Sequence, residues 1–419
     1  MKIGNALKEI SREQRIDSNA KYRLLGVKWY GKGVFLREEK YGHEIKATKL
    51  YQVKNGDFIY NRLFAWKSSF AIVPEEFDGC FVSNEFPLFI CNTDKIVPEF
   101  LLNYILLPQN INSINNLSGG MSGISRKRFK EAEFLNFDIP EIKIATQRNT
   151  CNKVQQVSKI MSAQELESIN QISFVGQLRQ TILQEAIRGT FTAKWRKQHP
   201  ELISGDNHVS KLLDKIKAEK ENLIKEGKLK KEKPLPLITD KEKPFDLPQG
   251  WIWCRLGNIS EWRYGKSLVK TQCKSKGKYP VFGSNGIVGY FDKYLTSKPS
   301  IVIGRKGSAG ALNKSKMPSW TTDVAFYIEE IKYIDFDYLF ILLKSLKINN
   351  IGKGIKPGIN RNEAYNLLVP LAPANEQKAI VEKVTKIMFL IDQLEKQIAE
   401  RKELSEMLMQ AILREAFKY

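Results

Sequence analysis

The sequence has few of the residues that build metal sites and disulfide frameworks. It contains five cysteines and three histidines among 419 residues. The cysteines form no closely spaced CxxC pair, and the histidines lie far from them along the chain. Close Cys and His spacing marks zinc sites, and regularly spaced cysteines mark secreted disulfide scaffolds. Neither class of protein is indicated, and the pattern fits a reducing compartment.

Long hydrophobic runs are also missing. The N-terminal residues, Met1 to Asn5, do not lead into the apolar core of roughly 7–15 residues that a secretory signal needs. No apolar run approaches the ~20 residues that span a bilayer. The expected location is therefore the cytoplasm.

Signatures of DNA enzymes are absent too. There is no Asn/Asp-Pro-Pro-Tyr/Phe run, with which an amino-methyltransferase holds an extruded adenine. In the string at 264–267, which is nearest to a phosphate loop, the first glycine of the motif is replaced by Ser260. The string at 140–143 is half of a nuclease motif without an acidic partner, and His43-Glu44 has no second histidine at helical spacing. We therefore expect a non-catalytic chain that binds no cofactor itself.

What the chain has in excess is positive charge. It carries 67 Lys and Arg against 46 Asp and Glu, which gives a formal net charge of +21. Clustered cations gain affinity for nucleic acids by releasing the counterions condensed on phosphates. A generically basic protein kept soluble by its charge would have the same composition. Charge alone therefore suggests a nucleic-acid partner without identifying it.

An internal repeat organises the chain. A shift of 230 positions superposes residues 140–186 on 370–416 without a gap, and Gln147 and Gln377 are among the identities. Three more pairs of matched blocks precede these segments in the same order in both halves: 58–62 with 301–305, 83–85 with 321–323 and 123–126 with 358–361. The chain is predicted to be a duplicated unit of globular domain followed by helix.

Both repeated tails show the 3/4 spacing of apolar residues that predicts a helix, over about 40 residues or ~60 Å. Such a stripe on one helix is usually ordinary core, but two matched stripes are most economically buried against each other. The first has a polar middle at Gln164, Ser168 and Gln171, and the second is interrupted at Arg401 and Ser405. A polar centre in the seam would help to fix its register.

The predicted fold class is α+β, with two pseudo-repeated α+β domains separated by a pair of long antiparallel coiled-coil helices. Runs at 86–90 and 300–303 favour strands, and runs at 101–106 and 337–343 favour helices. A charged stretch at 211–243 contains a short amphipathic segment and then prolines, which predict a linker. The predicted boundaries are 1–142 for the first domain, 143–190 for the first long helix, 191–246 for a charged linker with a short helix, 247–371 for the second domain and 372–419 for the second long helix.

Glycine-rich basic loops are the candidates for DNA contact. Glycine lets the backbone approach a ligand closely, while Arg and Lys supply a fork or a point charge. One such loop is more often a tight turn at a solvated surface, but these occur at corresponding places in both repeats. Some cations should position phosphates and others should read base edges, and the sequence does not separate the two groups. The predicted DNA-binding residues are Arg62, Lys67, Arg126, Lys127, Arg128, Asn285, Arg305, Lys306, Lys353, Lys356, Asn360 and Arg361.

Several strings together match a known family. They are Leu-Pro-Gln-Gly-Trp at 247–251, Tyr-Pro-Val-Phe-Gly-Ser-Asn-Gly-Ile-Val-Gly-Tyr at 279–290, Gly-Arg-Lys-Gly-Ser at 304–308, Pro-Leu-Ala-Pro-Ala-Asn-Glu-Gln at 370–377, and the segments 178–186 and 192–196 after the first helix. With these motifs the chain resembles the specificity subunit of type I restriction-modification enzymes over essentially its whole length. The first domain departs more, because it has no Pro-x-Gly-Trp opening and has Asn-Arg-Leu at 61–63 in place of Gly-Arg-x-Gly.

The resemblance implies that each domain reads one half of a bipartite, asymmetric site in double-stranded DNA. On physical grounds the half-sites should lie about 10 bp apart centre to centre, so that one rigid body meets both grooves from one side. It implies that the helices dock two modification subunits and that restriction subunits join them. S-adenosylmethionine, ATP and Mg are then expected on those partners and not on this chain. The predicted partner-binding residues are Leu178, Ile182, Leu394, Ile398, Leu408 and Ile412.

Two other interpretations remain open at this stage. One is a helix-mediated assembly scaffold that binds nucleic acid without sequence preference, for which the ratio of specific to non-specific affinity would be near one. The other is the recognition half of a single-chain nuclease-methyltransferase. That enzyme would need a methyltransferase region upstream, for which a chain of 419 residues starting at Met1 is expected to leave no room.

Overall fold

The computed structural model describes residues 1–118, 127–227, 229–351 and 358–417. By its contacts the chain divides into two compact units. The first unit comprises Met1–Ile169 and Ala399–Tyr419, and the second comprises Asn170–Ile398. Each unit contains one α+β globular part and a stretch of both long helices. The predicted α+β class is confirmed.

The α-helices alternate with strands along the chain. They are α1 (Pro98–Ile105), α2 (Pro108–Leu117), α3 (Glu131–Leu135), α4 (Ile144–Ile187), α5 (Ala193–Gln198), α6 (Val209–Lys225), α7 (Leu256–Ile259), α8 (Phe336–Ser345), α9 (Arg361–Tyr365) and α10 (Ala374–Ala416).

The strands are short, and most have two to five residues. They are β1 (Leu7–Ile10), β2 (Glu13–Arg15), β3 (Lys21–Val27), β4 (Val34–Tyr41), β5 (Lys49–Gln52), β6 (Phe58–Tyr60), β7 (Phe70–Ile72), β8 (Phe81–Val82), β9 (Leu88–Cys91), β10 (Ile252–Arg255), β11 (Arg263–Tyr264), β12 (Tyr279–Gly283), β13 (Gly286–Phe291), β14 (Ser300–Gly304), β15 (Leu312–Ser315), β16 (Trp320–Thr321), β17 (Ala325–Glu329) and β18 (Leu368–Leu371).

The first unit contains two sheets, and an aromatic core covers the face of the four-stranded sheet that packs against the helices. A four-stranded antiparallel sheet has the order β1-β9-β6-β7, and a five-stranded sheet has the order β2-β5-β8-β3-β4. Phe134 of α3 lies at the centre of the core, with its ring 5.0 Å from those of Tyr60 and Phe89 and 5.7 Å from that of Phe58. Burial of these large rings supplies much of the hydrophobic stabilisation of the unit.

The second unit has a four-stranded antiparallel sheet in the order β11-β17-β14-β15, a three-stranded sheet in the order β13-β12-β16 and the pair β10-β18. Every residue of β14 is buried, in agreement with its continuous apolar run. Tyr338 of α8 is fully buried, and its hydroxyl donates to Pro370 O at 3.1 Å. This bond ties α8 to β18.

The two units share part of their strand topology. Numbered by sequence within each four-stranded sheet, the strands lie in the order 1-4-2-3 in both units. The other sheet of each unit contains one parallel pair, β3 with β8 in the first unit and β12 with β16 in the second. On its other side, the first strand of each pair forms an antiparallel hairpin with the next strand along the chain, β4 or β13. The matched blocks at 58–62 and 301–305 begin in the equivalent strands β6 and β14. The duplication seen in the sequence therefore extends to how the strands are connected.

The long helices α4 and α10 pack against each other within each unit. In the second unit, Val175 and Ile182 of α4 form a buried cluster with Ile391 and Ile398 of α10. Arg179 pairs there with Glu395 at 2.8 Å, while residues nearer the end of α4 lie beside the start of α10, so the helices are antiparallel.

In the first unit the predicted polar interruption lies in the helix pair. Ser405 Oγ donates to Gln164 Oε1 at 3.0 Å.

Within the part of the chain that the structure describes, no helix is both long and apolar enough to cross a membrane.

Candidate nucleic-acid interface

A tight loop follows β14 in the second unit and begins with two cations, Arg305 and Lys306. A Cβ on Gly304 would lie 2.1 Å from Ser308 O and 2.4 Å from Ser284 O, so only glycine fits there. Gly310 N closes the loop by donating to Gly304 O at 2.8 Å. Gly304 therefore allows the backbone segments of the loop to approach closely, and this packing fixes the position at which Arg305 and Lys306 follow the strand.

Three segments that the sequence singled out converge at this loop. Ile359 N donates to Arg305 O at 3.0 Å, and the backbones of Lys306 and Gly358 form an isolated antiparallel β-bridge. The β12–β13 hairpin brings Ser284 against the loop, which places the exposed Asn285 beside it. The structure thus brings together residues that are distant in sequence.

Arg305 is held in position by aromatic rings and a neutral carbonyl. Its guanidinium carbon lies 5.3 Å from the ring centroid of Tyr264 and 5.9 Å from that of Phe326. Its Nη2 donates to the neutral carbonyl of Asp323 at 2.8 Å. Among the described residues, no carboxylate forms an ion pair with Arg305 or with the exposed Lys306. A stacked, unneutralised arginine suits recognition of a base edge or a phosphate.

Arg361 and Asn360 have structural partners. Arg361 stacks on Tyr264 at 5.5 Å, donates to Trp262 O at 3.1 Å and pairs with Glu232 at 2.8 Å. Asn360 caps α9 by accepting a hydrogen bond from the backbone N–H of the residue two positions on, at 2.9 Å. Burial raises the pKa of Tyr365, which packs beside Arg361, so this phenol stays protonated. DNA contact by Asn360 and Arg361 stays a prediction.

In the first unit two of the predicted arginines, Arg62 and Arg128, form ion pairs. Arg62 pairs with Glu131 and donates to Asn84 O, and Arg128 pairs with Glu85. These contacts tie the end of β6 to the segments around residues 85 and 130. The sequence pattern did not indicate this structural use of the two arginines.

The remaining predicted cations have different environments. Lys127 Nζ donates to the neutral Asn115 Oδ1 at 3.2 Å. Lys67 Nζ lies 3.6 Å from the ring centroid of Trp29 and 5.0 Å from that of Trp66. Three predicted residues lie outside the described residues: Arg126, Lys353 and Lys356.

The structure adds a feature that the sequence analysis missed. The connection of β3 to β4, residues 28–33, reads Lys-Trp-Tyr-Gly-Lys-Gly and is here termed the first hairpin tip. Trp29 is 42% exposed and Tyr30 is 68% exposed. Aromatic residues interleaved with lysine and glycine are the signal that could have identified it.

The predicted partner-binding residues fall into two groups. Ile182 and Ile398 are buried in the seam between α4 and α10. Leu178, Leu394 and Leu408 are exposed, and Ile412 is half-buried. Further exposed apolar side chains on these helices, which the sequence analysis did not select, are Ile160, Leu166, Ile169, Ile172, Phe174, Phe389, Leu390, Leu404 and Met407.

A cleft of about 1040 Å³ in the second unit lies between α6 and residues 329–337. Its lining mixes carboxylates with cations, and Lys220 lies 3.6 Å from Glu261. Burial raises the pKa of Glu261. A lining of mixed sign differs from the continuous positive surface that binds DNA.

Residues 248–403 match the family model described as the type I restriction modification DNA specificity domain. The chain is 35% identical over 242 residues to the type I restriction enzyme EcoAI specificity subunit of Escherichia coli, covering 51% of this chain and 40% of that protein. It is 29% identical over 273 residues to the EcoEI specificity subunit of the same organism, covering 57% and 43%. The matched part therefore spans about two-fifths of the length of these relatives.

Solved structures show the same fold. The HsdS subunit from Thermoanaerobacter tengcongensis aligns over 100% of this chain and 96% of its own length, with a TM-score of 0.56 and 18% identity. A chain from a type I R-M system, solved to explain complex assembly and conformational transition, aligns with the same coverage, a TM-score of 0.71 and 18% identity. Residues 248–403 therefore match the type I restriction modification DNA specificity domain, and the resemblance of the chain to specificity subunits of these enzymes is confirmed.

Proposed function

We propose that the chain recognises sequence in double-stranded DNA as the specificity subunit of a type I restriction-modification complex. The observation that carries the proposal is the convergence of Asn285, Arg305 and Lys306 within the matched specificity domain. The guanidinium fork can make a bidentate contact to guanine, and an exposed lysine can neutralise a phosphate. This surface therefore offers both kinds of contact that a sequence-reading protein needs.

A bipartite target follows from the two units. They share part of their strand topology but differ in the residues at equivalent loops, with Asn-Arg-Leu at 61–63 and Gly-Arg-Lys at 304–306. Two readers of different composition recognise two different half-sites, so the complete site is asymmetric. Half-sites about 10 bp apart would present the same face of the duplex to both readers.

Modification subunits are the proposed partners of the exposed apolar side chains of α4 and α10. Monomeric soluble proteins rarely leave many large apolar side chains open on one surface. Leu178, Leu394 and Leu408 are candidates for this contact. In this proposal the partner subunits carry S-adenosylmethionine, ATP and Mg, and this chain supplies recognition without a reaction.

The second candidate function is a nucleic-acid-binding scaffold without sequence preference. The net charge of +21 favours it, because charge alone gives non-specific affinity. Affinities for a target duplex and a scrambled duplex at one salt concentration separate the two functions. A sequence reader should prefer its target by about 10³-fold or more, whereas a scaffold should show a ratio near one.

Mapping of DNA methylation tests the proposal directly. Genomic DNA is compared between cells that carry this gene with its modification gene and cells in which only this gene is deleted. The expected result is adenine methylation at one split, asymmetric motif that disappears in the deletion and returns with the wild-type gene. Immunoblotting of the modification protein is the control. An unchanged methylation pattern, with that protein present, would rule the proposal out.

A further inference from the structure

The first hairpin tip, residues 28–33, is held in one conformation. Tyr30 N donates to Lys67 O at 2.9 Å, and Gly31 N donates to Ser68 O at 2.8 Å. Tyr30 has a φ of 59°, in the left-handed region. A Cβ on Gly31 would lie 2.4 Å from Leu106 Cδ1, so the tip packs closely on the body of the unit. Its side chains therefore project from a fixed backbone.

These projecting side chains are large aromatics that the core does not use. The core of the same unit buries Tyr22 and Tyr60 almost completely, whereas Trp29 is 42% exposed and Tyr30 is 68% exposed. A rigid, exposed aromatic side chain loses little conformational entropy on binding, and tyrosine adds a hydroxyl that donates or accepts a hydrogen bond. The tip is therefore suited to binding a partner.

The charge around the tip points to a polyanion. Lys28 and Lys32 flank the aromatic pair and are exposed. Lys67 lies over the Trp29 ring at 3.6 Å. Within the described residues none of these three lysines forms an ion pair with a carboxylate. Three lysines without ion pairs beside two partly exposed aromatic side chains match a duplex, which presents phosphates beside base edges.

The second unit supplies an independent comparison. Its equivalent hairpin, β12–β13, places Asn285 beside the loop that follows β14 and carries Arg305 and Lys306. In the first unit the β3–β4 tip bonds to the loop that follows β6 and carries Lys67. Each unit thus joins a hairpin tip to the same topological loop, but the two tips have different chemistry.

We propose that the first hairpin tip enters the major groove of DNA and that Trp29 and Tyr30 determine the half-site read by the first unit. A two-stranded ribbon fits the major groove, where base edges and thymine methyl groups are accessible to a tyrosine. Lys28, Lys32 and Lys67 contact the flanking phosphates. This inference rests on the proposed DNA-reading function and assigns it to particular residues.

Methylation mapping with the full chain and its modification partner tests the assignment. The variants are Trp29→Ala and Tyr30→Asn, because asparagine tolerates the left-handed backbone. The matched control is Tyr41→Ala, an aromatic that is 48% exposed at the far end of β4. We expect tenfold or greater loss of methylation at the wild-type motif, with altered bases in only one half of it. Tyr41→Ala should keep the wild-type motif.

The outcomes separate the assignment from the proposed function. If wild type methylates a split motif and both tip variants methylate it as fully as Tyr41→Ala does, the assignment is wrong and the proposed function stands. If wild type methylates no split motif, both are wrong.

A second measurement guards against misfolding of the aromatic variants. Lys28→Ala combined with Lys32→Ala should weaken binding to target and scrambled duplexes equally and reduce the salt slope of log K by about two. An unchanged slope would overturn the assignment.

Discussion

Glu376, at the start of α10, is a buried carboxylate held by three donors from two separate segments of the second unit. Its Oε1 accepts hydrogen bonds from Thr192 Oγ1 at 2.5 Å and from Arg196, and its Oε2 accepts from Trp251 Nε1 at 2.8 Å. The side chain is 0% exposed. It joins the segment after α4 to the residue that opens the second domain and to α10.

We expect Glu376→Ala to destabilise the second unit by about 3–5 kcal/mol, because Arg196 would remain largely buried without its counter-charge. Urea unfolding followed by tryptophan fluorescence measures this loss. Glu382→Ala on the same helix is the matched control, since its exposed ion pair with Lys386 is open to solvent. A Glu376→Ala midpoint as close to wild type as the control would contradict the role of this cluster.

The matched glutamines show what a sequence can and cannot reveal about a residue. The repeat aligned Gln147 with Gln377, but it did not show their role. Gln147 Oε1 accepts from Val97 N at 2.8 Å, and Gln377 Oε1 accepts from Asp335 N at 2.9 Å. Each thereby ties the start of a long helix to the residue before α1 or α8. The partners are 50 and 42 positions away, so no local pattern reports them.

The same limit applies to the candidate interface. The repeat placed Arg62 opposite Arg305, yet Arg62 pairs with Glu131, whereas the polar partner of the Arg305 side chain is the neutral carbonyl of Asp323. Whether an arginine is available to DNA depends on a carboxylate distant in sequence. The sequence indicated which loops carry arginine. Whether each arginine is paired with a carboxylate could be learned only from the folded structure.

At the scale of elements, the long helices were predictable because their signal is local. Apolar spacing over more than ten turns leaves one interpretation, and α4 and α10 are found where it placed helices. Strand order was not predictable, because strands of two to five residues carry little periodicity and pair over long distances. Leu7 of β1, for example, pairs with Cys91 of β9.

The seam between α4 and α10 supports a prediction at this scale. Ile391 is 4% exposed and packs with Val175, Ile182 and Ile398. We expect Ile391→Ala to cost about 2–5 kcal/mol of unfolding free energy, because removing the side chain leaves a cavity in the seam. Phe389→Ala is the comparison, since that side chain on the same helix is 59% exposed.

The two variants should separate stability from assembly. Ile391→Ala should lower the urea midpoint, whereas Phe389→Ala should keep the midpoint and reduce co-purification of the modification subunit. Equal midpoints for the two variants would mean that Ile391 does not stabilise the helix pair.

At the scale of the whole molecule, the net charge of +21 predicts strongly salt-dependent binding. Each neutralised phosphate adds about −0.9 to the slope of log K against log salt concentration. If a cation contacts only phosphates, its contribution to this slope is the same for any DNA sequence. Replacing one cation and measuring binding to a target duplex and a scrambled duplex therefore shows whether that cation reads bases or binds the DNA backbone.

Arg305 and Lys306 are adjacent in sequence but are expected to fall on opposite sides of this division. Arg305 is fixed by Tyr264 and Asp323, so Arg305→Ala should weaken target binding by about 1–3 kcal/mol and leave scrambled binding nearly unchanged. Lys306 is exposed, and Lys306→Ala should weaken both duplexes equally and reduce the slope by about one. Arg263→Ala removes an equal charge already paired with Glu329 at 2.8 Å, and it should change neither quantity. Equal losses on both duplexes for Arg305→Ala would place Arg305 on a phosphate and leave base reading in the second unit to Asn285 and its neighbours.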